Sequence, residues 1–198
     1  MNINATNQAV DLGLSSMWSL CNLGAKSPEE YGAYYAWGEK ESKCRYDYTN
    51  YEWLDAYGQS GKNSNGNPII ETNLDIRDDV ANQILGGAWH VPSLRDIVEL
   101  YEECSWRWSS VNGIKGYKLT SKVQGFTDKS IFLPAAGLIM GNTRVNVGYA
   151  GYYWTSALYS SNVRHALSST FDQNIIIRCL PHARILGLPI RPVCAKNT

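Results

Sequence analysis

The pattern that most constrains the fold is a helical repeat of apolar residues that stands out clearly at one place in the chain. It begins after Ser93, a good N-cap, and Asp96 three residues later can complete a capping box. The apolar positions that share one face of this helix are Leu94, Ile97, Val98 and Tyr101. A shorter helical pattern covers Asp78–Leu85 and ends at two glycines, a natural C-cap. The sequence therefore predicts two helices, near residues 78–86 and 93–103.

Much of the remaining sequence is typical of short strands joined by long loops. Asn112 and Gly113 form a hairpin-type turn, and the runs Tyr117–Val123 and Leu188–Val193 are strand candidates. The 198 residues are enough to bury a sizeable core, so residues 1–198 are expected to form a single domain. Short strands around two helices predict the α+β class, with a twisted, mostly antiparallel sheet.

The composition argues against nucleic-acid and membrane partners. The chain has 18 basic and 18 acidic residues, and no basic stripe indicates binding to nucleic acid. No run of 18 apolar residues is present, so direct insertion into a membrane is not expected. Residues 1–10 are polar and lack the apolar stretch of a signal peptide.

The sequence shows no residue spacing typical of catalysis or metal binding. His90, His165 and His182 lack H-x-H and H-E-x-x-H spacing, and no nucleophile elbow, P-loop or dinucleotide fingerprint occurs. The five cysteines argue against a complete disulfide framework because their number is odd, while one bridge such as Cys21 with Cys44 stays open. We therefore expect no enzymatic activity, no catalytic residue, no metal site and no cofactor.

Residues 157–188 have an unusual composition. Lys, Glu, Gln, Met and Trp make up about one residue in five of residues 1–156, but only Gln173 represents them in this 32-residue segment. These five amino acids are the ones that codons ending in a pyrimidine cannot encode. One interpretation is that the first two positions of these codons have been randomised. The other is that a buried, strand-rich segment simply avoids long polar side chains.

Eight blocks of the sequence, in order, resemble one protein family. They read VDLGLSSMWSLCNLGA, EEYGAYYAWGE, GGAWHVPSLRDIVEL, CSWRW, GIKGYKLT, IFLPAAG, GYYWTS and IRPV. They are similar to the Fibrobacter succinogenes major paralogous domain, which is abundant in Bacteroidetes and resembles the formylglycine-generating-enzyme branch of the C-type lectin fold. The resemblance implies a C-type-lectin-like fold with its chain ends close together, and an extracellular or cell-surface location.

That fold is also used by the variable proteins of diversity-generating retroelements. Those elements randomise adenines, mostly in AAY codons for Asn, and replacing the first two bases yields only codons that end in a pyrimidine. The corresponding region of the family is rich in Asn, Ser and Tyr, whereas residues 175–186 read IIIRCLPHARIL. The resemblance thus implies a variable segment at residues 157–188.

The function expected from this resemblance is that of a receptor-like or adhesin-like domain that displays a diversified C-terminal surface. The candidate ligand-binding residues are Val163, Arg164, His165, Ile175, Ile177, Arg178, Leu180, His182, Ile185 and Leu186. The alternative for about half of them is that they pack the last strands, because neighbouring residues of a strand face opposite ways.

Two other functions stay open at this stage. One is a cell-surface structural or adhesive domain without diversification, and the less favoured one is an enzyme related to sulfatase-modifying factors. The expected partner is a protein or glycan ligand that the sequence does not name. A larger assembly on a cell surface or a phage tail is compatible with the resemblance, so the expected location includes the virion.

Overall fold

The computed structural model of the chain describes residues 8–53 and 73–196. Within them, two helices and twelve strands follow one another along the chain. The helices are α1 (Val80–Leu85) and α2 (Leu94–Glu103). The strands are β1 (Ala9–Val10), β2 (Ser16–Ser19), β3 (Trp89–His90), β4 (Cys104–Val111), β5 (Ile114–Ser121), β6 (Ser130–Pro134), β7 (Leu138–Met140), β8 (Thr143–Val145), β9 (Ala150–Leu158), β10 (His165–Asp172), β11 (Ile176–Ala183) and β12 (Val193–Ala195).

Helix α2 forms where the capping pattern predicts it. The Asp96 backbone N–H donates to the Ser93 hydroxyl at 3.3 Å, and the Asp96 carboxylate accepts from the Ser93 backbone N–H at 2.8 Å. This reciprocal pair satisfies two backbone donors that the first turn would otherwise leave open. Of the predicted apolar stripe, Ile97 is buried while Leu94, Val98 and Tyr101 are partly exposed; Leu100, which was not predicted, is the other apolar residue of α2 buried in the core.

Helix α1 is also present but has only six residues. It begins at Asp79, whose carboxylate accepts from the Asn82 backbone N–H, and a 3₁₀ turn at Ile76–Asp78 precedes it. It ends at Gly86, which has a φ of 70° that favours glycine. The helix is short because start and stop signals lie close together in the sequence. No helix in the described residues is long and apolar enough to cross a membrane.

The prediction of an α+β, C-type-lectin-like fold is wrong. Strands hold 41% of the described residues and helices hold 11%, and the strands form four small antiparallel sheets instead of one twisted sheet. The strand orders are β1-β2-β12-β3, β4-β5-β6, β7-β8 and β11-β10-β9. The sequence pattern overstated the helices because two well-capped helices are easier to recognise than many short strands.

The hairpin of β4 and β5 is the most regular of these sheets. Its eight residue pairs run from Cys104 opposite Ser121 to Val111 opposite Ile114. Asn112 and Gly113 make the turn with φ values of 49° and 84°, the left-handed conformation that two-residue hairpins require. The predicted turn is therefore confirmed.

The two ends of the described chain meet in one sheet. Strand β2 pairs with β1 on one side and with β12 on the other. Beside this sheet the guanidinium of Arg191 is fully buried and donates to Asn22 Oδ1, the Leu20 carbonyl and the Phe132 carbonyl, each at 2.8 Å. Burial lowers the pKa of Arg191 to about 10. These bonds fix the last strand between the N-terminal segment and β6.

Two apolar clusters lie on opposite sides of strand β9. Trp154 belongs to the first, which also contains Trp37 and Trp53 and is here called the Trp37 cluster. Tyr153 belongs to the second, which also contains Leu119 and Phe171 and is here called the Phe171 cluster. Successive residues of a strand point to opposite faces, so β9 carries both clusters at once. Strand β9 of the C-terminal sheet is therefore packed on both faces. The edge of that sheet that can be exposed is the one opposite β9.

We predict that Leu119 is a stability determinant and its neighbour Lys118 is not. Leu119 is fully buried in the Phe171 cluster, so Leu119→Ala should lower the free energy of unfolding by about 2–5 kcal/mol. Lys118 is exposed on the same strand, and Lys118→Ala should change it by less than about 0.5 kcal/mol. Urea unfolding of both variants measures the difference, and equal losses would contradict this description of the core.

Candidate ligand-binding surface

The segment with the unusual composition forms most of the C-terminal sheet. Strand β10 lies in the centre, paired with β9 on one side and with β11 on the other. No further strand pairs with the outer side of β11 among the described residues. Eight of the nine residues in β9 are buried, five of eight are buried in β10, and every residue of β11 is partly or fully exposed. Burial therefore decreases across the sheet toward the edge.

The ten candidate residues all lie at positions with some exposure. Exposed are Val163, Arg164, Ile175 and Arg178. Partly exposed are His165, Ile177, Leu180, His182, Ile185 and Leu186. The buried positions of the same segment are different ones, and they include Ala166, Ser168, Ser169, Thr170, Phe171 and Arg184. The segment thus consists of interleaved buried and accessible residues.

Several exposed residues of the segment are not among the ten candidates. They are Ser160, Ser161, Asn162, Gln173, Asn174 and Pro181. Most of them are Ser or Asn, which favour exposed turns and loops, so their residue type could have indicated their exposure. The accessible surface of the segment is consequently larger and more polar than the ten residues alone suggest.

One end of this surface is the turn between β10 and β11. The Asp172 carboxylate accepts from the backbone N–H groups of Asn174 and Ile175 at 2.7 and 2.9 Å. The Asp172 N–H donates to the Ile175 carbonyl at 2.8 Å and closes the turn. The Ile175 side chain is 53% exposed, so this tight turn holds an apolar side chain in solvent.

The other end is the β9–β10 loop, residues 159–164. Its backbone is closed by bonds from the Tyr159 N–H to the His165 carbonyl and from the Asn162 N–H to the Tyr159 carbonyl, both 3.0 Å. The Asn162 side-chain oxygen accepts from the Arg164 N–H at 3.0 Å. The Val163 side chain is 42% exposed. Because β10 has eight residues, this loop lies about 25 Å from the Ile175 turn.

The sheet does not bring all ten side chains onto one face. The ring of His182 packs against Tyr152, with ring centroids 5.3 Å apart, on the side of the Trp37 cluster. Arg178 lies on the other side, where its guanidinium is 5.1 Å from the Tyr101 ring and 3.2 Å from Glu102 Oε1 on α2. Some of the candidate residues therefore contact their own domain, as the packing alternative required.

His182 also lies within hydrogen-bond distance of a serine, but the pair does not form a catalytic site. Ser168 Oγ is 2.8 Å from His182 Nδ1 and 3.2 Å from Thr170 Oγ1. Ser168 is fully buried, so a substrate cannot reach its hydroxyl, and within the described ranges the hydrogen-bond partner of the imidazole is this serine and not a carboxylate. In residues 8–53 and 73–196, no three His, Cys, Asp or Glu side chains are placed to hold a metal ion.

A cleft of about 630 Å³ adjoins the β9–β10 loop. Helix α2 forms one wall, and the segment 157–188 supplies six of the ten lining residues. The complete lining is Asn73, Ser93, Leu94, Arg95, Ala157, Leu158, Tyr159, Ser160, Leu167 and Cys179. A mostly apolar concavity with a few polar groups is the usual form of a ligand site. Sequence reasoning missed it because it depends on where α2 packs.

Arg184 is a buried residue of the segment that its local sequence does not mark as important. It is 0% exposed, and its guanidinium carbon is 4.8 Å from the Trp37 ring and 4.9 Å from the Trp53 ring. Burial lowers the pKa of Arg184 below its ordinary value, while Tyr51 and Glu39 favour the charged form. Its sequence neighbours gave no signal, because the aromatic partners lie more than a hundred residues earlier in the chain.

The five cysteines are free thiols, so the bridge between Cys21 and Cys44 does not form.

No family model, curated protein or solved structure matches this chain.

We predict that His182 makes the stability of the domain depend on pH. Burial lowers the pKa of His182, so as the pH falls the unfolded chain binds this proton before the folded protein does. The contribution is therefore complete above about pH 6.5 and is lost progressively at lower pH. Urea unfolding between pH 8 and 5 should show a smaller loss of stability for His182→Gln than for the wild type. An NMR titration with the His182 pKa at or above 6.5 would contradict the assignment.

Proposed function

We propose that this chain is a ligand-binding domain that recognises a protein or glycan through the accessible residues of segment 157–188. In this proposal it acts as a receptor-like or adhesin-like domain on a cell surface or a virion. The positions that contact ligand are diversified, as in the retroelement variable proteins that the sequence resembles. The domain needs no catalytic residue, metal or cofactor for this role.

The observation that carries the proposal is the decrease of burial across the C-terminal sheet. A binding surface that varies in sequence needs side chains that can change without loss of the fold, held on a backbone that does not move. Strand β9 is fixed between two apolar clusters, and β11 has no fully buried residue. The segment thus pairs with a well-packed strand through β10 and offers exposed positions on β11 that can change.

The chemistry of the accessible residues suits a macromolecular partner. The apolar side chains of Val163 and Ile175 stand in solvent at opposite ends of this surface, and Arg164 adds a cation beside Val163. A protein interface combines an apolar core with a polar rim, and these residues supply side chains of both kinds. The cleft beside residues 159–160 could receive a protruding side chain or a sugar ring of the ligand.

The second candidate function is a structural or adhesive surface domain without diversification. It is favoured by the contacts of Arg178 with α2 and of His182 with Tyr152, which use two candidate positions for packing within the domain. Under this alternative the composition of the segment reflects its strands alone. The gene distinguishes the two, because diversification leaves a second, adenine-rich copy of the segment near a reverse-transcriptase gene.

The accessible and buried positions should differ sharply in their tolerance of substitution. We expect Val163→Ala, Arg164→Ala and Ile175→Ala each to change the free energy of unfolding by less than about 0.5 kcal/mol. Phe171→Ala should cost about 3–5 kcal/mol, because this ring is 1% exposed and stacks on Tyr153 with centroids 5.9 Å apart. Thermal and urea unfolding of the four variants provide the measurement.

A library extends this comparison to binding itself. The codons of the candidate residues other than Arg178 and His182, which pack within the domain, are replaced by codons with random first two bases and a fixed pyrimidine, and folded members are selected by protease resistance. If the surface is a display surface, most members fold, and binders to an arbitrary test protein can be selected from them. A library in which few members fold, or which yields no binder, would overturn the proposal. A control library at buried positions should fold rarely.

A further inference from the structure

We infer that Arg184 is a fixed anchor inside the variable segment and that it sets the conformation of the β9–β10 loop. This inference rests on the proposed function for its biological meaning, because it assigns one residue of the segment to support and not to ligand contact. Arg184 is therefore a positioning residue for Val163 and Arg164. The structural contacts that lead to it are independent of any ligand.

The guanidinium of Arg184 is enclosed by aromatic rings. Its central carbon is 4.8 Å from the Trp37 ring, 4.9 Å from the Trp53 ring and 5.4 Å from the Tyr51 ring. A guanidinium is attracted to the faces of aromatic rings and, being planar, can stack on several of them. A buried cation placed in this way is held in one orientation.

The aromatic rings are themselves fixed to the rest of the domain. The indole N–H of Trp37 donates to the Thr155 carbonyl in β9 at 2.8 Å. The Tyr51 hydroxyl donates to the Trp37 carbonyl, also at 2.8 Å. Arg184 is thus connected through Trp37 to the most deeply buried strand of the C-terminal sheet.

A buried acidic group completes the surroundings of the guanidinium. The Glu39 carboxylate is 2% exposed and favours the charged form of Arg184. It also accepts from the Lys43 ammonium at 2.5 Å and from the Glu52 backbone N–H at 2.8 Å. Burial raises the pKa of Glu39, while Lys43 opposes that rise. The cationic arginine therefore has an anionic counterpart in the same cluster.

Arg184 connects this cluster to the β9–β10 loop through the backbone. Its own N–H donates to the Arg164 carbonyl and its guanidinium donates to the Val163 carbonyl, both at 3.0 Å. Its carbonyl accepts from the Trp37 N–H at 2.9 Å. Because the loop takes part only through carbonyl groups in these bonds, they persist whatever side chains occupy positions 163 and 164.

This arrangement explains how a loop could vary in sequence and still keep its shape. Val163 and Arg164 are both exposed, while their carbonyl groups accept hydrogen bonds from the buried Arg184. The anchor requires an arginine, since it must be charged, planar and long enough to donate to the loop from within the aromatic cluster. Lysine offers a charge but no planar group, and methionine offers neither.

Native-state hydrogen exchange on the intact chain tests the anchor without any ligand. In Arg184→Lys and Arg184→Met, the amides of Asn162 and His165, which close the loop, should exchange at least about tenfold faster relative to the amides of β9. Leu100→Ala serves as a control, because it weakens the Phe171 cluster on the far side of the sheet and should speed the exchange of all globally protected amides together.

A second control separates the side chain from the backbone. Arg164→Ala keeps its carbonyl, so the loop amides should exchange as in the wild type. If Arg184→Met does not fold, Trp53→Phe provides a milder change of the same cluster, with the same selective acceleration expected. The inference is overturned if the loop amides of these variants follow global stability as in Leu100→Ala, or if Arg164→Ala accelerates them equally.

The gene adds a test that depends on the proposed function. If an adenine-rich template copy exists, its codon at position 184 should encode arginine without adenine, whereas the codons at positions 163 and 164 should contain adenines. A template adenine at position 184 would show that the residue varies and would overturn its assignment as fixed. Failure of the hydrogen-exchange test leaves the library experiment unaffected, so the two proposals can fail separately.

Discussion

The structure depends on strand β9 being buried on both faces. Tyr153 and Trp154 are neighbours in sequence, yet one packs in the Phe171 cluster and the other in the Trp37 cluster. Each is also bonded to backbone, the Tyr153 hydroxyl to the Pro134 carbonyl and the Trp154 indole to the Tyr35 carbonyl. These bonds satisfy the polar groups that burial would otherwise leave open. Elements from both halves of the chain are therefore held against a single strand.

The character of the C-terminal sheet follows from this constraint. Strand β9 is covered on both sides, β10 is partly covered and β11 has little cover. The number of buried residues therefore falls from strand to strand. Because of this gradient, one segment of 32 residues contains both buried and accessible positions. Phe171 fits its position because Gly151 opposite it has no side chain, and a Cβ there would lie 2.2 Å from the ring. The distribution of buried and accessible residues in this sheet is thus determined by packing contacts such as this one, and not by composition alone.

Local features of the structure could be predicted from the sequence, and long-range ones could not. The capped helix α2 and the Asn112-Gly113 turn are determined by neighbouring residues, and both are confirmed. The division into four sheets depends on pairings such as β2 with β12, which are 170 or more residues apart. The aromatic surroundings of Arg184 likewise join positions from distant parts of the chain. Ten accessible positions could be proposed from the sequence. Arg178 and His182, four residues apart, would face the same way in a regular strand, and they face opposite ways because the pairing of β10 with β11 contains a bulge, which the sequence does not reveal.

The pairing of the first and last strands has a mechanical consequence. Strands β1 and β12 flank β2 and run in the same direction, with Ala9 opposite Ser19 at one end of β2 and Ala195 opposite Ser16 at the other. Tension applied between Gln8 and Lys196 would therefore act along these strands and shear their hydrogen bonds together, instead of opening them one at a time. The load would cross this sheet and not the sheet formed by β9, β10 and β11. A surface on that second sheet would keep its geometry while the domain is pulled.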